Sequence, residues 1–391
     1  MDFFIFLYVL AGVLLGTVTG LIPGLHPNTV SALILASALW DPFLTSILII
    51  SAAVAHSFLD FIPSVLLGAP DPSTALSILP GHKMMMRGHA YEAIKLTVVG
   101  GVVSLLLIVL FLPFIVVFIR NFYVFIKPNV HWILIGITGF MFLKDRNAWG
   151  IVVFCLSGSL GYLVLLNNLL GEFSLLPMLT GLFGLSMIIK SLKDRVKIPE
   201  QIKESEKISG VFRSGIVGTL SGMLVGLLPG VGAAQATFIS REIFRDKEEK
   251  KFMIAIGGVN TTVAVLSVLA LWLVGNPRSG VAVAVSELLG KISFTDVVVF
   301  IGAILLAGGV SAFLTLHLNK VFINLFRKVN YRIINFFIIL FLVGVTFILT
   351  GLPGLYILFL STIIGLVCIL SNTRRSYMMA CIIIPTVLFF L

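Results

Sequence analysis

Polar side chains are scarce in this sequence, and several of them follow two proline–glycine pairs. His26, Asn28 and Thr29 come just after Pro23-Gly24, and Gln235 and Thr237 come just after Pro229-Gly230 and Gly232. Proline removes a backbone donor and glycine tolerates positive φ, so each pair ends a helix. The helix that restarts presents free N–H groups and the positive end of its dipole. Two such ends converging among amide, hydroxyl and imidazole groups would cradle a carboxylate or a phosphate. His26 alone also fits a satisfied buried histidine.

A second pair of breaks adds further candidates. The first is Gly68-Ala69-Pro70-Asp71-Pro72-Ser73-Thr74, where Asp71 or Ser73 is placed to cap the next helix. The other is Gly275-Asn276-Pro277-Arg278-Ser279-Gly280, which brings the cation Arg278 to meet an anion. Upstream of the first, His56 and Asp60 are four residues apart in an apolar run and share a helix face. Ionisable groups at membrane depth are costly and point to function. Because histidine titrates near neutral pH, both are candidates for proton coupling; Asp60 also fits a helix cap near the membrane surface. Asn260, Thr261 and Thr262 form a polar cluster suited to substrate or Na⁺ contacts. The scattered Cys155, Cys368 and Cys381 have no metal or redox spacing and read as small buried hydrophobes.

The elements that carry these residues are repeated. Gly12, Gly16 and Gly20 lead to Pro23-Gly24, and Gly218, Gly222 and Gly226 lead to Pro229-Gly230, each position 206 residues on. Gly68 follows Gly24 by 44 residues and Gly275 follows Gly230 by 45. The glycine ladders read as helix-packing faces. Paired, interrupted hydrophobic segments at corresponding places in two halves mark a transporter's substrate site.

Composition excludes a soluble domain: 59% of residues are apolar and 11% charged, against about 25% charged in soluble proteins. Apolar runs long enough to cross a bilayer as helix recur throughout. The net charge of +10 falls in short loops, where it orients a membrane chain rather than binding nucleic acid. Lys83, Arg87 and Lys95 mark one such loop; Arg241, Arg245, Lys247, Lys250 and Lys251 mark another; Arg374-Arg375 is the last. The N-terminal stretch lacks a basic n-region and a cleavage site, and is expected to stay as part of the first hairpin.

These features predict an all-α polytopic protein of the cell membrane, with two inverted-topology repeats of five spans, each opening with a Pro-Gly-broken hairpin. The first repeat is 1–190, a charged cytoplasmic linker is 191–212, and the second repeat is 213–391. Spans are expected near 43–67, 96–119, 130–143, 149–166 and 173–190, then near 252–274, 297–316, 333–350, 352–370 and 377–391. The loop after the first hairpin has no Lys or Arg while its counterpart is basic, which is what inversion predicts.

On Gly20-x-x-Pro23-Gly24, Gly68 through Ala75, and Gly81-His82-x-Met84-x-x-Arg87-Gly88-x-Ala90-x-x-Ala93, the chain resembles the large membrane subunit of the tripartite tricarboxylate transporter family. Pro229-Gly230 and Gly275-Asn276-Pro277 also fit, so the resemblance covers roughly 12–100 and 213–285. It implies a cation-driven importer of small carboxylates, coupled to H⁺ or Na⁺, with no cofactor or resident metal. A soluble binding protein and a small membrane subunit are the implied partners. The chain is shorter than the usual subunit, which also fits a stand-alone form. Two other readings remain open. The same turns resemble those of polyprenyl-phosphate translocases, which would hold a lipid head group. The third is a scaffold or an intramembrane enzyme, although no nucleophile–base spacing or aspartate dyad appears.

Overall fold

The computed structural model describes all residues except 1, 23–24, 26, 38–40, 69–73, 146, 194–198, 203–209, 227–232, 245–247, 276–278 and 328–330. Among the described residues the chain is helical throughout, with no strand. Seven of the described helical stretches are long and apolar enough to cross a membrane. The protein is a multi-pass membrane protein.

The segment expected to form the first hairpin holds α1 (Asp2–Leu21), long and apolar enough to cross a membrane by itself, and α2 (Pro27–Ser37), while Pro23, Gly24 and His26 between them lie outside the described residues. Asp41 then caps α3 (Pro42–Leu59): its side chain accepts from the Leu44 N–H at 2.9 Å, and Pro42 fills the first turn, where no donor is needed. After Asp60 comes α4 (Phe61–Leu66), so α3 and α4 share the expected 43–67 span. Beyond the first break lie α5 (Ile78–Met86) and α6 (Ala90–Leu110). The span expected at 96–119 therefore starts earlier, and Lys95 sits inside a helix rather than in a loop. It also stops at Phe111, where Pro113 prevents continuation and α7 (Leu112–Ile126) sets off anew.

Next come α8 (Val130–Asp145) and α9 (Ala148–Gly161), the latter capped by Asn147 and continued by a π-helical turn, Tyr162–Leu166. The expected 173–190 span is α10 (Leu175–Leu179), a second π turn (Thr180–Leu185) and α11 (Ser186–Lys193). Cys155, on α9, is exposed, unlike the buried Cys368 and Cys381, so one of the three expected core cysteines faces outward.

The second hairpin is α12 (Val211–Gly226) and α13 (Ala233–Ile243), followed by α14 (Glu249–Val274) and α15 (Gly280–Leu289). The expected 297–316 span is much longer: α16 runs Phe294–Arg327, 34 residues, or about 50 Å at 1.5 Å per residue. The expected 333–350 and 352–370 spans are two arms of α17 (Tyr331–Leu370) that meet at Gly351, φ 64 and ψ −157. A 3₁₀ segment, Arg375–Met379, leads into α18 (Ala380–Phe390).

The glycine ladders are close-packing faces of α1 and α12. Gly12, Gly16 and Gly20 lie on Leu48, Ala52 and His56 of α3, each 36 residues ahead; Gly218, Gly222 and Gly226 lie on Ala255, Val259 and Val263 of α14, each 37 ahead. Other contacts repeat with the same displacement. Gly101 of α6 packs against Phe58 and Thr261, and Gly308 of α16 packs against Leu105 with Val54 at 3.7 Å, so Gly101–Thr261 and Gly308–Val54 are 207 residues apart in both members. The tightest crossing is α6 on α14, where methyl groups at Gly100 and Gly257 would strike the carbonyls of Ile254 and Thr97.

Two large apolar clusters result. One gathers α1, α3, α15, α16 and the C-terminal half of α14; the other gathers α8, α9, α13, α18 and the N-terminal part of α14. Phe58 and Leu59 belong to the first and Phe61 to the second, so Asp60 sits at the changeover.

Candidate functional site

Asp60 is 2% exposed. Its backbone N–H bonds to the His56 carbonyl as α3 ends, and its Oδ2 accepts from Asn260 Nδ2 at 2.8 Å. The same amide donates to the Ser57 carbonyl at 3.1 Å. Asp60 makes no side-chain capping bond to α4, so it does not act as that helix's cap. A carboxylate at this depth needs donors to offset its desolvation, and Asn260 supplies one from a helix 200 residues away.

One turn earlier, His56 Nδ1 lies 3.2 Å from Thr19 Oγ1 on α1. The Thr19 hydroxyl donates to the Gly16 carbonyl at 3.2 Å, which leaves its lone pair for an Nδ1–H. His56 and Asp60 are both buried as expected, yet they address different helices: His56 turns to α1 and Asp60 to α14. Thr261 and Thr262 are fully buried, and their hydroxyls have no partner among the described residues.

The residues after the proline–glycine turns are placed in part. Asn28 Oδ1 accepts from the Val281 N–H at 3.2 Å, and Gly280 leaves room for it. Since Ser279 also caps α15 through the Ala282 N–H at 3.2 Å, Asn28 joins the first hairpin to the far edge of the second break. Gln235 Nε2 donates to Thr386 Oγ1 on α18 at 3.0 Å, and Thr237 is buried on α13. Gly68 (φ 64) and Gly275 (φ 72) both adopt the left-handed conformation at the near edges of the two breaks. Pro23, Gly24, His26, Pro70, Asp71, Ser73, Pro229, Gly230, Gly232, Asn276, Arg278 and the Thr29 side chain lie outside the described residues.

Sequence reasoning passed over several groups. Glu92, 1% exposed, pairs with Lys250 at 2.8 Å and with His89 at 3.1 Å. Glu249 pairs with Lys83 at 3.4 Å and Arg87 at 3.0 Å. Gln201 Oε1 accepts from the Ala90 N–H while its Nε2 donates to the Met85 carbonyl, each at 3.0 Å. The basic loops therefore also fasten the start of α14, and the chain around 199–202, to the α5–α6 turn. A charge count registers the net sign of these loops but not the carboxylates they meet.

The model of the tripartite tricarboxylate transporter TctA family matches residues 6–380. The chain belongs to the tripartite tricarboxylate transporter TctA family. The match extends well beyond the two motif-bearing stretches and takes in spans that sequence inspection matched only by hydropathy. The family is one of transporters of tricarboxylate-type substrates rather than of enzymes. An uncharacterized protein of Methanocaldococcus jannaschii is 35% identical over 399 residues, covering 98% of each chain. No solved structure matches this TctA-family chain.

Proposed function

We propose that the chain is a secondary active transporter that carries a small di- or tricarboxylate-like anion across the membrane by alternating access. Its halves, 1–190 and 213–391, act as inverted repeats joined by the 191–212 linker. The observation that carries this reading is the matched packing, in which contacts of one half recur 206 or 207 residues later in the other. The start of α14 also meets Lys83 and Arg87, which follow α3 and α4. Helix α14 thus begins on the side where its counterpart ends, as inversion requires.

In this reading the anion is held at the helix N-termini after the two Pro-Gly turns, among His26, Asn28, Thr29, Gln235 and Thr237, with the breaks around Pro70 and Asn276 close by. Asp60 and His56 bind the coupling H⁺ or Na⁺. The buried Asp60–Asn260 bond supports that role, because a change in the carboxylate's charge acts directly on α14. A soluble binding protein and a small membrane subunit would deliver substrate to the outer face, or the chain works alone.

Uptake of labelled citrate into proteoliposomes under an imposed proton or sodium gradient tests the reading. Gradient-driven accumulation that is lost in Asn28→Ala and Asp60→Asn is the expected result. Thermal stabilisation by a short-chain polyprenyl phosphate, with none by any di- or tricarboxylate, would transfer the site to a lipid carrier.

A further inference from the structure

The halves 1–190 and 213–391 meet in two separate helix bundles. The first holds α1 to α7, α12 and α14 to α16. Here α6 of the first half crosses α14 of the second with glycine against backbone carbonyl, and Gly215 of α12 fits onto Val103 of α6. The Ser104 and Thr219 hydroxyls bond at 2.8 Å between α6 and α12. Phe43 of α3 stacks on Phe300 of α16 with ring centroids 5.7 Å apart, and Asn319 of α16 donates to the Tyr91 carbonyl at 3.2 Å.

The second bundle holds α8 to α11, α17 and α18, and it too draws on both halves. Gly161 of α9 sits against the Cys381 carbonyl of α18, Gly365 of α17 against the Leu182 carbonyl, and Gly181 against Ser361 and the Leu358 carbonyl. Ser361 Oγ donates to the Pro177 carbonyl at 3.1 Å and Ser157 Oγ to the Tyr377 carbonyl at 3.2 Å. Just before α18, Arg374 Nη1 bonds Asp145 Oδ1 at 3.1 Å and Arg375 Nη1 lies 3.3 Å from Met187 Sδ.

Between the bundles the packing changes. Among the described residues, each helix-to-helix approach at which an added methyl group would strike backbone lies inside one bundle. At the junction, Gly68 has Ile188 Cγ1 at 3.8 Å, ordinary van der Waals contact, and Leu67 packs on the cluster of Leu185 and Ile188. Helix α13 lies between the two: Ala236 and Ile239 pack with Val225 and Val259 of the first bundle, while Phe238 joins the cluster of Tyr377 and Ile383 in the second. Helices locked glycine on carbonyl move as one body, because backbone cannot yield. An interface of apolar side-chain tips can shear. The chain passes from bundle to bundle only in connections, after α7, after α11 and after α16.

We infer that alternating access is a displacement of these two bundles against each other, each built from both halves, and that the halves themselves stay joined. The inference rests on the transport reading. Gln235, which that reading places at the anion, lies on the junction helix α13 and donates to Thr386 Oγ1 of the second bundle at 3.0 Å.

Cysteine bridges decide which bodies move. The exposed native thiol, Cys155, is first replaced by serine. Ser104→Cys with Thr219→Cys then joins the halves inside the first bundle, and Leu67→Cys with Ile188→Cys joins the bundles inside the first half. Each pair is closed by oxidation or by a short bis-thiosulfonate and assayed for citrate uptake into proteoliposomes, before and after reduction. The Ser104–Thr219 bridge is expected to leave uptake intact. The Leu67–Ile188 bridge should abolish it, and reductant should restore it. Uptake that survives the Leu67–Ile188 bridge, or stops with the Ser104–Thr219 bridge, overturns the inference. Spin labels on the exposed Leu106, Phe313 and Phe359 repeat the test without transport, and serve if a bridged protein fails to fold. Compared with and without citrate and sodium, the Leu106–Phe313 distance should hold, since it crosses halves within one bundle. The Phe313–Phe359 distance should change, since it crosses bundles within one half. The opposite pattern, or two fixed distances, overturns the inference as well. A Cys155→Ser protein that takes up no citrate ends the citrate reading, while the label distances still decide which bodies move.

Discussion

Asp60 and Asn260 are bonded side chain to side chain at 2.8 Å, although 200 residues separate them. The bond sits where one apolar cluster gives way to the other along both α3–α4 and α14. Asn260 spends its amide on Asp60 and on the Ser57 carbonyl together. Protonation of Asp60 Oδ2 would set a donor against a donor, so α14 is poised to respond to the charge on a carboxylate it does not carry.

Replacing either partner separates stability from coupling. Asn260→Ala removes a donor from a buried carboxylate and should cost about 1–3 kcal/mol of stability, read as a lower melting temperature in detergent. Asp60→Asn keeps a side-chain hydrogen bond and should fold. In proteoliposomes it is expected to retain substrate exchange down a concentration gradient while losing accumulation driven by the cation gradient. Wild-type accumulation by Asp60→Asn would remove Asp60 from the coupling mechanism.

The α6–α14 crossing should tolerate no added carbon. A methyl group at Gly100 or Gly257 would meet a backbone carbonyl of the facing helix, and backbone cannot swing aside as a side-chain tip does. Gly100→Ala and Gly257→Ala are each expected to destabilise by about 1–3 kcal/mol, the usual cost of overpacking. Gly139→Ala is the control, since nothing lies within 4 Å of its added carbon. It should be neutral or slightly stabilising, because alanine favours helix. Equal melting temperatures across the three variants would contradict the packing described.

Gly68 and Gly275 test the equivalence of the two breaks by a different route. Each has positive φ, and an added carbon would meet only Ile188 Cγ1 at 3.8 Å in the first case and nothing within 4 Å in the second. Among the described residues nothing crowds either site, and the backbone conformation is what opposes a side chain. Alanine at either position should cost about 1–2 kcal/mol, and asparagine, which enters the left-handed region more readily, should recover part of it. Matched losses in the two melting curves are expected; a loss at one position alone would break the equivalence.

These contacts also show what the sequence could and could not tell. The glycine ladders were legible because close approach needs the same residue at the same spacing each time, and a repeat displays that need twice. Span cores were legible from hydropathy, but span ends were not. Lys95 looked like a loop marker, yet it lies in a helix, and so does Lys320, which rests over the Tyr91 ring at 5.5 Å. Long side chains can keep an apolar stem in a helix and a charged tip elsewhere. Asn260 was legible as a polar residue out of place but not as the partner of Asp60, because nothing local links α14 to α3. Arg374 and Arg375 read as one topological signal, and only the 3₁₀ turn that begins there sends them to different neighbours.

The buried His82 predicts a pH dependence of stability with a definite sign. Its pKa is lowered from 6.5 to about 4, chiefly by burial, with Arg375 opposing a second positive charge nearby. Above pH 6.5 neither the folded nor the unfolded chain protonates it, and it contributes no slope. Between about pH 6.5 and 4 the unfolded chain takes up a proton that the folded chain refuses, so stability falls as the pH drops, by about 1.4 kcal/mol per unit for this one group. Other carboxylates and histidines titrate in the same window, so the quantity to measure is the difference between wild type and His82→Gln. Glutamine keeps an N–H to offer the Val65 carbonyl and cannot be protonated. The melting temperature of wild type relative to His82→Gln should fall as the pH drops from 7.5 to 4.5, whatever gap separates the two proteins at neutral pH. Parallel curves across that range would mean that His82 is protonated inside the fold.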